Sequence, residues 1–166
     1  MLMTSKVTIL TTIKNMSGTV GRFLDSLLSQ EFDQPYDIVV IDSLSDDGTM
    51  EILADYAKKH KKIKVIEYQC TQPQAFNYAL DNKLVTGDIV ALIDADCVAE
   101  KDWLKRIVAN IESGKEIVGG IGLTPLESKG LQKVIGFDLD YRFLSAKKGV
   151  VKRHPNMNLA NEKRNF

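Results

Sequence analysis

The feature that most constrains the fold is a regular alternation between short apolar segments and longer amphipathic ones. Four segments are rich in β-branched residues and nearly continuous in apolar character, which is typical of strands covered on both faces. They span residues 7–11, 38–41, 63–66 and 89–93. The third of them is the most polar, so we expect it at an edge of the sheet.

Between these segments, apolar residues recur at the three- and four-residue spacing of amphipathic helices. The helical patterns span residues 20–28, 50–57, 75–80 and 103–111. The resulting order, β-α-β-α-β-α-β-α, predicts an α/β Rossmann-like fold, with a mostly parallel sheet and helices on both faces. In such folds ligands bind beyond the carboxyl ends of the strands.

Length and composition limit the architecture and the partners. A chain of 166 residues with 44% hydrophobic content is sufficient for one domain, predicted over residues 1–166. Its 22 basic and 22 acidic residues balance, which argues against a nucleic-acid partner. Cys70 and Cys97 lack the number and spacing of a disulfide framework or zinc site, so we expect a reducing, cytoplasmic setting. No secretory signal or membrane-length apolar run is evident.

The regular pattern loosens after Gly119 and Gly120. Residues 1–122 are therefore predicted to form a ligand-binding core, and residues 123–166 the start of an incomplete acceptor-side region. Within this second part, apolar spacing predicts one more helix over residues 131–139, and a basic stretch spans residues 147–154.

Polar residues follow three of the predicted strands: Thr12 and Asn15, Asp42, and the pair Asp94 and Asp96. Two carboxylates on one tight turn suit a hard divalent cation, because Mg2+ takes one or two carboxylates together with phosphate oxygens. The alternative is that this pair only shapes a turn and caps the helix that follows, since aspartate is common at both places.

The segment IDSLSDDGT contains three acidic residues with different expected roles. Asp46 and Asp47 precede a helix and are predicted to cap it, with Gly48 easing the turn. Asp42 lies at the strand tip, where a carboxylate accepts hydrogen bonds from a base or a ribose hydroxyl. We therefore expect replacement of Asp42 to weaken nucleotide binding while leaving the fold intact.

Taken together, these segments resemble the inverting GT-A glycosyltransferases called family 2. The resemblance covers nearly the whole chain, in the family's order: VTILTTIKN, RFLDSLLSQ, IVVIDSLSDDGTMEIL, GDIVALIDADCVAEKDWL and NLANEKRNF. It implies that Thr12, Asn15 and Asp42 contact the nucleotide, and that Asp94 and Asp96 hold Mn2+ or Mg2+ and the phosphates. A UDP- or GDP-sugar would donate its sugar, with inversion, to a glycan or lipid-linked acceptor. Peripheral membrane association stays open.

The chain departs from the family pattern in four places, one of which is the second segment, where the family often has two acids and this chain has Asp42 and Ser43. Residues 12–15 read TIKN where the family commonly has PTYN, and Phe76 stands where an arginine is frequent; its helical spacing predicts a core position. The family's catalytic base follows the segment that NLANEKRNF resembles, so we expect it beyond Phe166. Asp138 and Asp140 are interpreted as helix-surface charges, and His154 as a loop residue.

Three other functions compete with this interpretation. The letters DADCV match the nucleophile motif of haloacid-dehalogenase-like phosphatases, which those enzymes carry on their first strand rather than their fourth. A sugar nucleotidyltransferase would need a glycine-rich loop after the first strand, and TTIKNMSGTVG has too little glycine. A non-catalytic nucleotide-sugar-binding module, without a base, is the alternative from a different class.

Overall fold

In a computed structural model, residues 6–120, 122–124, 128–130, 133 and 158–162 are described, the last of these as backbone only. The strands are β1 (Val7–Ile13), β2 (Tyr36–Asp42), β3 (Ile63–Glu67), β4 (Ile89–Ile93), β5 (Ile117–Gly119) and β6 (Asn158–Glu162). The helices are α1 (Val20–Leu28), α2 (Thr49–Lys59), α3 (Gln72–Asp81) and α4 (Trp103–Glu112). The four predicted strands and four predicted helices are confirmed.

One six-stranded sheet runs through the molecule in the order β3-β2-β1-β4-β6-β5. The strands β3, β2, β1 and β4 are mutually parallel, and β3 lies at an edge, as its polar pattern predicted. Strand β6 runs antiparallel between β4 and β5. Neither β5 nor β6 was predicted, because β5 has three residues and NLANE carries little β-branched character.

Helices cover both faces of this sheet, as predicted. The buried residues of α1, α2 and α4 pack on the face formed by alternate strand residues such as Ile9, Val40 and Ala91. Helix α3 packs on the opposite face through Ala75 and Ala79. This alternation between faces follows from the two-residue period of a strand, and it determines which side chains reach the crevice.

A buried threonine ties the amino-terminal ends of the strands together. The Thr8 hydroxyl donates to Asp37 Oδ1 (2.6 Å) and accepts from the backbone N–H of Gly87 (2.9 Å). A Cβ atom at position 87 would lie 2.5 Å from the backbone nitrogen of Thr8, so only glycine fits there.

The predicted helix at 131–139 lies largely outside the described residues. Among the described helices, none is long and apolar enough to span a membrane.

Candidate functional site

The sheet places a crevice where its strand order reverses. Chain connections proceed from β1 to β2 and β3 on one side, and β4 lies on the other side of β1. Ligands in open α/β sheets bind at this switch point, beyond the carboxyl ends of the strands. A cavity of about 300 Å³ lies there, lined by Thr12, Lys14, Met16, Gln72, Asp94, Ala95 and Asp96.

The two carboxylates predicted from the sequence lie at this crevice. Asp94 directly follows β4 and is half-buried, and its Oδ1 accepts a hydrogen bond from Nε2 of Gln72 in the first turn of α3 (2.8 Å). Asp96 is exposed. The backbone closes a turn through Cys97 N–H to the Asp94 carbonyl (3.1 Å). Helix α4 begins at Trp103 with Asp102 as its N-cap, so the alternative that Asp94 and Asp96 cap this helix is wrong.

Next to this pair, the Cys97 thiol is held in its protonated form. Burial, followed by the nearby carboxylates of Asp96 and Asp94, raises the pKa of Cys97 to about 12. A thiolate there would meet a low dielectric and two negative charges. A protonated thiol is a poor nucleophile, so Cys97 is not suited to nucleophilic attack at neutral pH.

Asn15, predicted to contact the nucleotide, connects two loops. Its φ of +53° lies in the left-handed region, which asparagine tolerates better than most residues. Its backbone N–H donates to Ser45 Oγ (2.9 Å), and its Oδ1 accepts from the backbone N–H of Asp46 (3.1 Å). Asn15 therefore joins the loop after β1 to the loop after β2. A nucleotide contact by this exposed side chain stays a prediction, and it would use the amide nitrogen.

Asp42 belongs to the same network and not to the lining of the crevice. It is fully buried (0% exposed), because the strand period places it on the face of Ile38 and Val40. Its Oδ2 accepts from the backbone N–H of Ser45 (2.8 Å), and its Oδ1 accepts from Ser45 Oγ (2.5 Å). Both carboxylate oxygens hold the turn, which argues against the expectation that Asp42 can be replaced without cost to the fold; the effect of the substitution stays a prediction. Its contact with a base stays a prediction.

Asp47 acts close to its predicted capping position. The N-cap of α2 is Gly48, whose φ is +92°, so the cap lies one residue later than predicted. Asp47 Oδ1 accepts from the backbone N–H of Thr49 (3.0 Å), and Oδ2 accepts from the backbone N–H of Ser17 (2.9 Å). Hydrogen bonds from Thr49 and Ser17 lower the pKa of Asp47 well below its ordinary value. The carboxylate thus ties α2 to the loop before α1.

The structure thus brings three of the five predicted site residues together in the crevice: Thr12, Asp94 and Asp96. Thr12 and Asp94 continue the alternation of β1 and β4 onto the α3 side of the sheet, where Gln72 donates a hydrogen bond to Asp94. Sequence reasoning missed three lining residues, which are Lys14, Met16 and Gln72. Only their position in the sequence could have indicated them, because Lys14 and Met16 follow β1 and Gln72 is the first residue of α3, the helix that follows β3. Phe76 packs against the core, as predicted.

Comparison with known proteins agrees with this geometry. The model of glycosyl transferase family 2 matches residues 8–157. Glycosyltransferase AglE of Haloferax volcanii is 28% identical over 119 residues, which are 69% of this chain and 38% of that protein. The chain therefore spans about two-fifths of the length of this curated relative.

Two solved structures extend the comparison to the fold. Mannosyltransferase PcManGT from Pyrobaculum calidifontis, in complex with GDP-Man and Mn2+, matches 98% of this chain and 46% of its own, with a TM-score of 0.75 and 22% identity. S. aureus TarS 1–349 in complex with UDP-GlcNAc matches 76% of this chain and 36% of its own, with a TM-score of 0.61 and 26% identity.

Asp138 and Asp140, interpreted from the sequence as helix-surface charges, and His154, interpreted as a loop residue, lie outside the described residues. The phosphatase alternative is set aside, because the DADC segment follows β4, at the centre of a region that matches a different family. The order of strands, the paired aspartates beyond β4 and the match over 150 residues, from 8 to 157, lead to one conclusion. This chain belongs to glycosyl transferase family 2 and has the α/β fold of that family's GT-A members.

Proposed function

We propose that this chain forms the donor-binding site of a metal-assisted glycosyltransferase. The enzyme would move a sugar from a UDP- or GDP-sugar to an acceptor hydroxyl or lipid phosphate, with inversion at the anomeric carbon. The observation that carries the proposal is the pair Asp94 and Asp96 in a crevice at the β1/β4 switch point. The GDP-Man and UDP-GlcNAc complexes of structural neighbours support a nucleotide-sugar donor.

The donor set of the crevice fits a hard divalent cation that also binds phosphate. Within the described residues, no three acidic, histidine or cysteine side chains are close enough together to hold a metal alone. Two carboxylates leave most positions of an octahedral ion for phosphate and water oxygens. Asp94 and Asp96 would hold Mn2+ or Mg2+, which when bound neutralises charge that develops on the departing diphosphate. Gln72 fixes one oxygen of Asp94 and so orients the carboxylate.

Hydrogen bonds also join the two loops that leave β1 and β2. The network of Asn15, Asp42, Ser45 and Asp47 connects the loop after β1, which carries the crevice residues Lys14 and Met16, to the loop after β2. Hydrogen bonds that hold this loop lower the cost of ordering the site when the nucleotide binds. Both acids that line the crevice serve the leaving group, and activation of the acceptor needs a separate base within hydrogen-bond reach. That base stays predicted beyond Phe166.

The first test is metal-dependent nucleotide binding. We expect UDP or GDP, with Mn2+, to raise the melting temperature, because a ligand that binds only the folded state stabilises it. Metal alone is expected to raise it little. Asp94→Asn and Asp96→Asn should each reduce the shift, while Asp81→Asn, at an exposed site on α3, should preserve it. Absence of any shift with either nucleotide at millimolar concentration would refute the proposal.

A second test separates an enzyme from a binding module. The module is the alternative function, favoured by the commitment of both described crevice acids to the leaving group. Labelled nucleotide sugars would be incubated with the full chain, and both hydrolysis and transfer to acceptors would be measured. Donor binding without transfer is expected for the 166 residues alone. Robust transfer would place a base within them, and Asp138, Asp140 and His154 would be replaced first.

A further inference from the structure

We propose that Lys14 binds the diphosphate of the donor and thereby determines how strongly the site prefers nucleoside diphosphates over monophosphates. The inference rests on the proposed function and assigns a role to a crevice residue that sequence reasoning did not single out. Lys14 follows β1 directly and lines the same cavity as Asp94 and Asp96. Among the described residues that line this cavity, it is the one with a positive charge.

The backbone around Lys14 is fixed on both sides. The following residue, Asn15, donates its N–H to Ser45 Oγ (2.9 Å), and Met16 donates its N–H to Thr49 Oγ1 (2.8 Å). Thr49 is fully buried, so the second of these bonds anchors the loop to the core. Before Lys14, Ile13 is buried and pairs with Asp42 in the sheet. The Lys14 side chain therefore starts from a defined point at the mouth of the crevice.

The side chain itself remains available. Lys14 is exposed, and within the described part of the chain its ammonium forms no ion pair or hydrogen bond. Lys14 therefore forms no ion pair with Asp94 or Asp96, although all three residues line the same cavity.

The balance of charges at the site indicates which ligand group the Lys14 ammonium would bind. Asp94 and Asp96 carry two negative charges, which a divalent cation neutralises. The two charges of a sugar-linked diphosphate would then remain without a full counter-charge at the site. A lysine ammonium is a compact point charge with three donors, suited to phosphate oxygens that the metal does not bind. Because charge on the diphosphate grows as the sugar departs, Lys14 would also favour the transition state.

Calorimetric titration of the full chain with UDP, GDP, UMP and GMP, in the presence of Mn2+, tests the proposal. Lys14→Met removes the charge while retaining the length of the side chain, and Lys14→Arg retains the charge. Lys105→Met is the matched control, because Lys105 is exposed on α4 and does not line the crevice. We expect Lys14→Met to weaken diphosphate binding about tenfold, which corresponds to about 1.4 kcal/mol, and to weaken monophosphate binding much less. Lys14→Arg should restore most of the affinity.

The outcomes separate this inference from the function on which it rests. If the unaltered chain binds neither diphosphate, the proposed function fails and the inference fails with it. If the unaltered chain binds diphosphate and Lys14→Met binds it equally well, only the role of Lys14 is overturned. Equal losses for diphosphate and monophosphate would also overturn it, because they indicate that Lys14 does not act on the second phosphate. A weaker salt dependence of diphosphate binding in Lys14→Met would support it.

Discussion

Replacing Asp42 with alanine should destabilise the protein substantially, because two donors lose their acceptor at once. The carboxylate is fully buried and accepts from both the backbone N–H (2.8 Å) and the hydroxyl (2.5 Å) of Ser45. Leaving a buried donor unpaired costs about 1–3 kcal/mol. Since Ser45 is half-buried, water would reach part of the gap. We therefore expect Asp42→Ala to lower the free energy of unfolding by about 2–4 kcal/mol.

The expected loss is large enough to measure by two independent methods. For a chain of this size, 1 kcal/mol lowers the melting temperature by roughly 2–4 °C, so Asp42→Ala should melt roughly 4–16 °C below the parent. Urea unfolding should show a lower midpoint with an unchanged slope. Asp42→Asn keeps an acceptor and loses the charge, so we expect about 1 kcal/mol of destabilisation.

Asp46→Ala is the control for the loop. Asp46 is exposed, and its backbone N–H, which donates to Asn15 Oδ1, survives the change. An exposed substitution of this kind should change stability by less than about 0.5 kcal/mol. If Asp42→Ala unfolded at the same urea concentration as Asp46→Ala, the carboxylate would not hold the turn. Asp42 would then be free for the ligand contact that the sequence predicted.

Three further predictions concern other parts of the fold. Gly87→Ala should cost about 1–3 kcal/mol, because the new Cβ meets the backbone of Thr8, and an unchanged urea midpoint would contradict this. Asp47 has a lowered pKa, so its stabilising contribution is present above its ordinary value of 3.8 and is lost as the pH falls below it. The difference in unfolding midpoint between the parent and Asp47→Asn should therefore be smaller at pH 3 than at pH 6, and a constant difference would count against it. Gln72→Ala should weaken Mn2+ binding, titrated at saturating UDP or GDP, about tenfold by freeing Asp94; an unchanged affinity would remove Gln72 from its positioning role.

The fold was predictable because its signals are local and strong. Each parallel strand is a short segment followed by an amphipathic helix, and the right-handed connection rule then leaves few topologies. The edge position of β3 followed from its polar residues, such as Lys64 and Glu67, which are exposed. Strand β6 gave no such signal, since it lies about forty residues after β5 in sequence and inserts between β4 and β5. Pairing over that distance is a tertiary property.

The site was predicted in part, and the missing part follows from side-chain direction. Strand-end position correctly suggested that Thr12, Asp94 and Asp96 would converge. The same argument placed Asp42 with them, although the strand period puts its side chain on the opposite face from Val39 and Ile41. Applying that period to β2 would have indicated burial. The contact between Gln72 and Asp94 joins residues 22 positions apart, so no local sequence pattern predicts it.

The antiparallel insertion of β6 also limits how the rest of the chain reaches the crevice. Asn158, the first residue of β6, pairs with Ile93, so it lies beside the turn that carries Asp94. Gly119 ends β5 opposite Leu159, at the same edge of the sheet. The connection between β5 and β6 therefore starts and finishes at the crevice edge. Glu162 pairs with Ile89, the first residue of β4, and so lies at the end of the strands away from the crevice. A later residue would have to return roughly 16 Å, the length of five strand residues, before it reached the crevice. A base that follows β6 thus needs a returning segment of at least about five extended residues before it reaches the crevice.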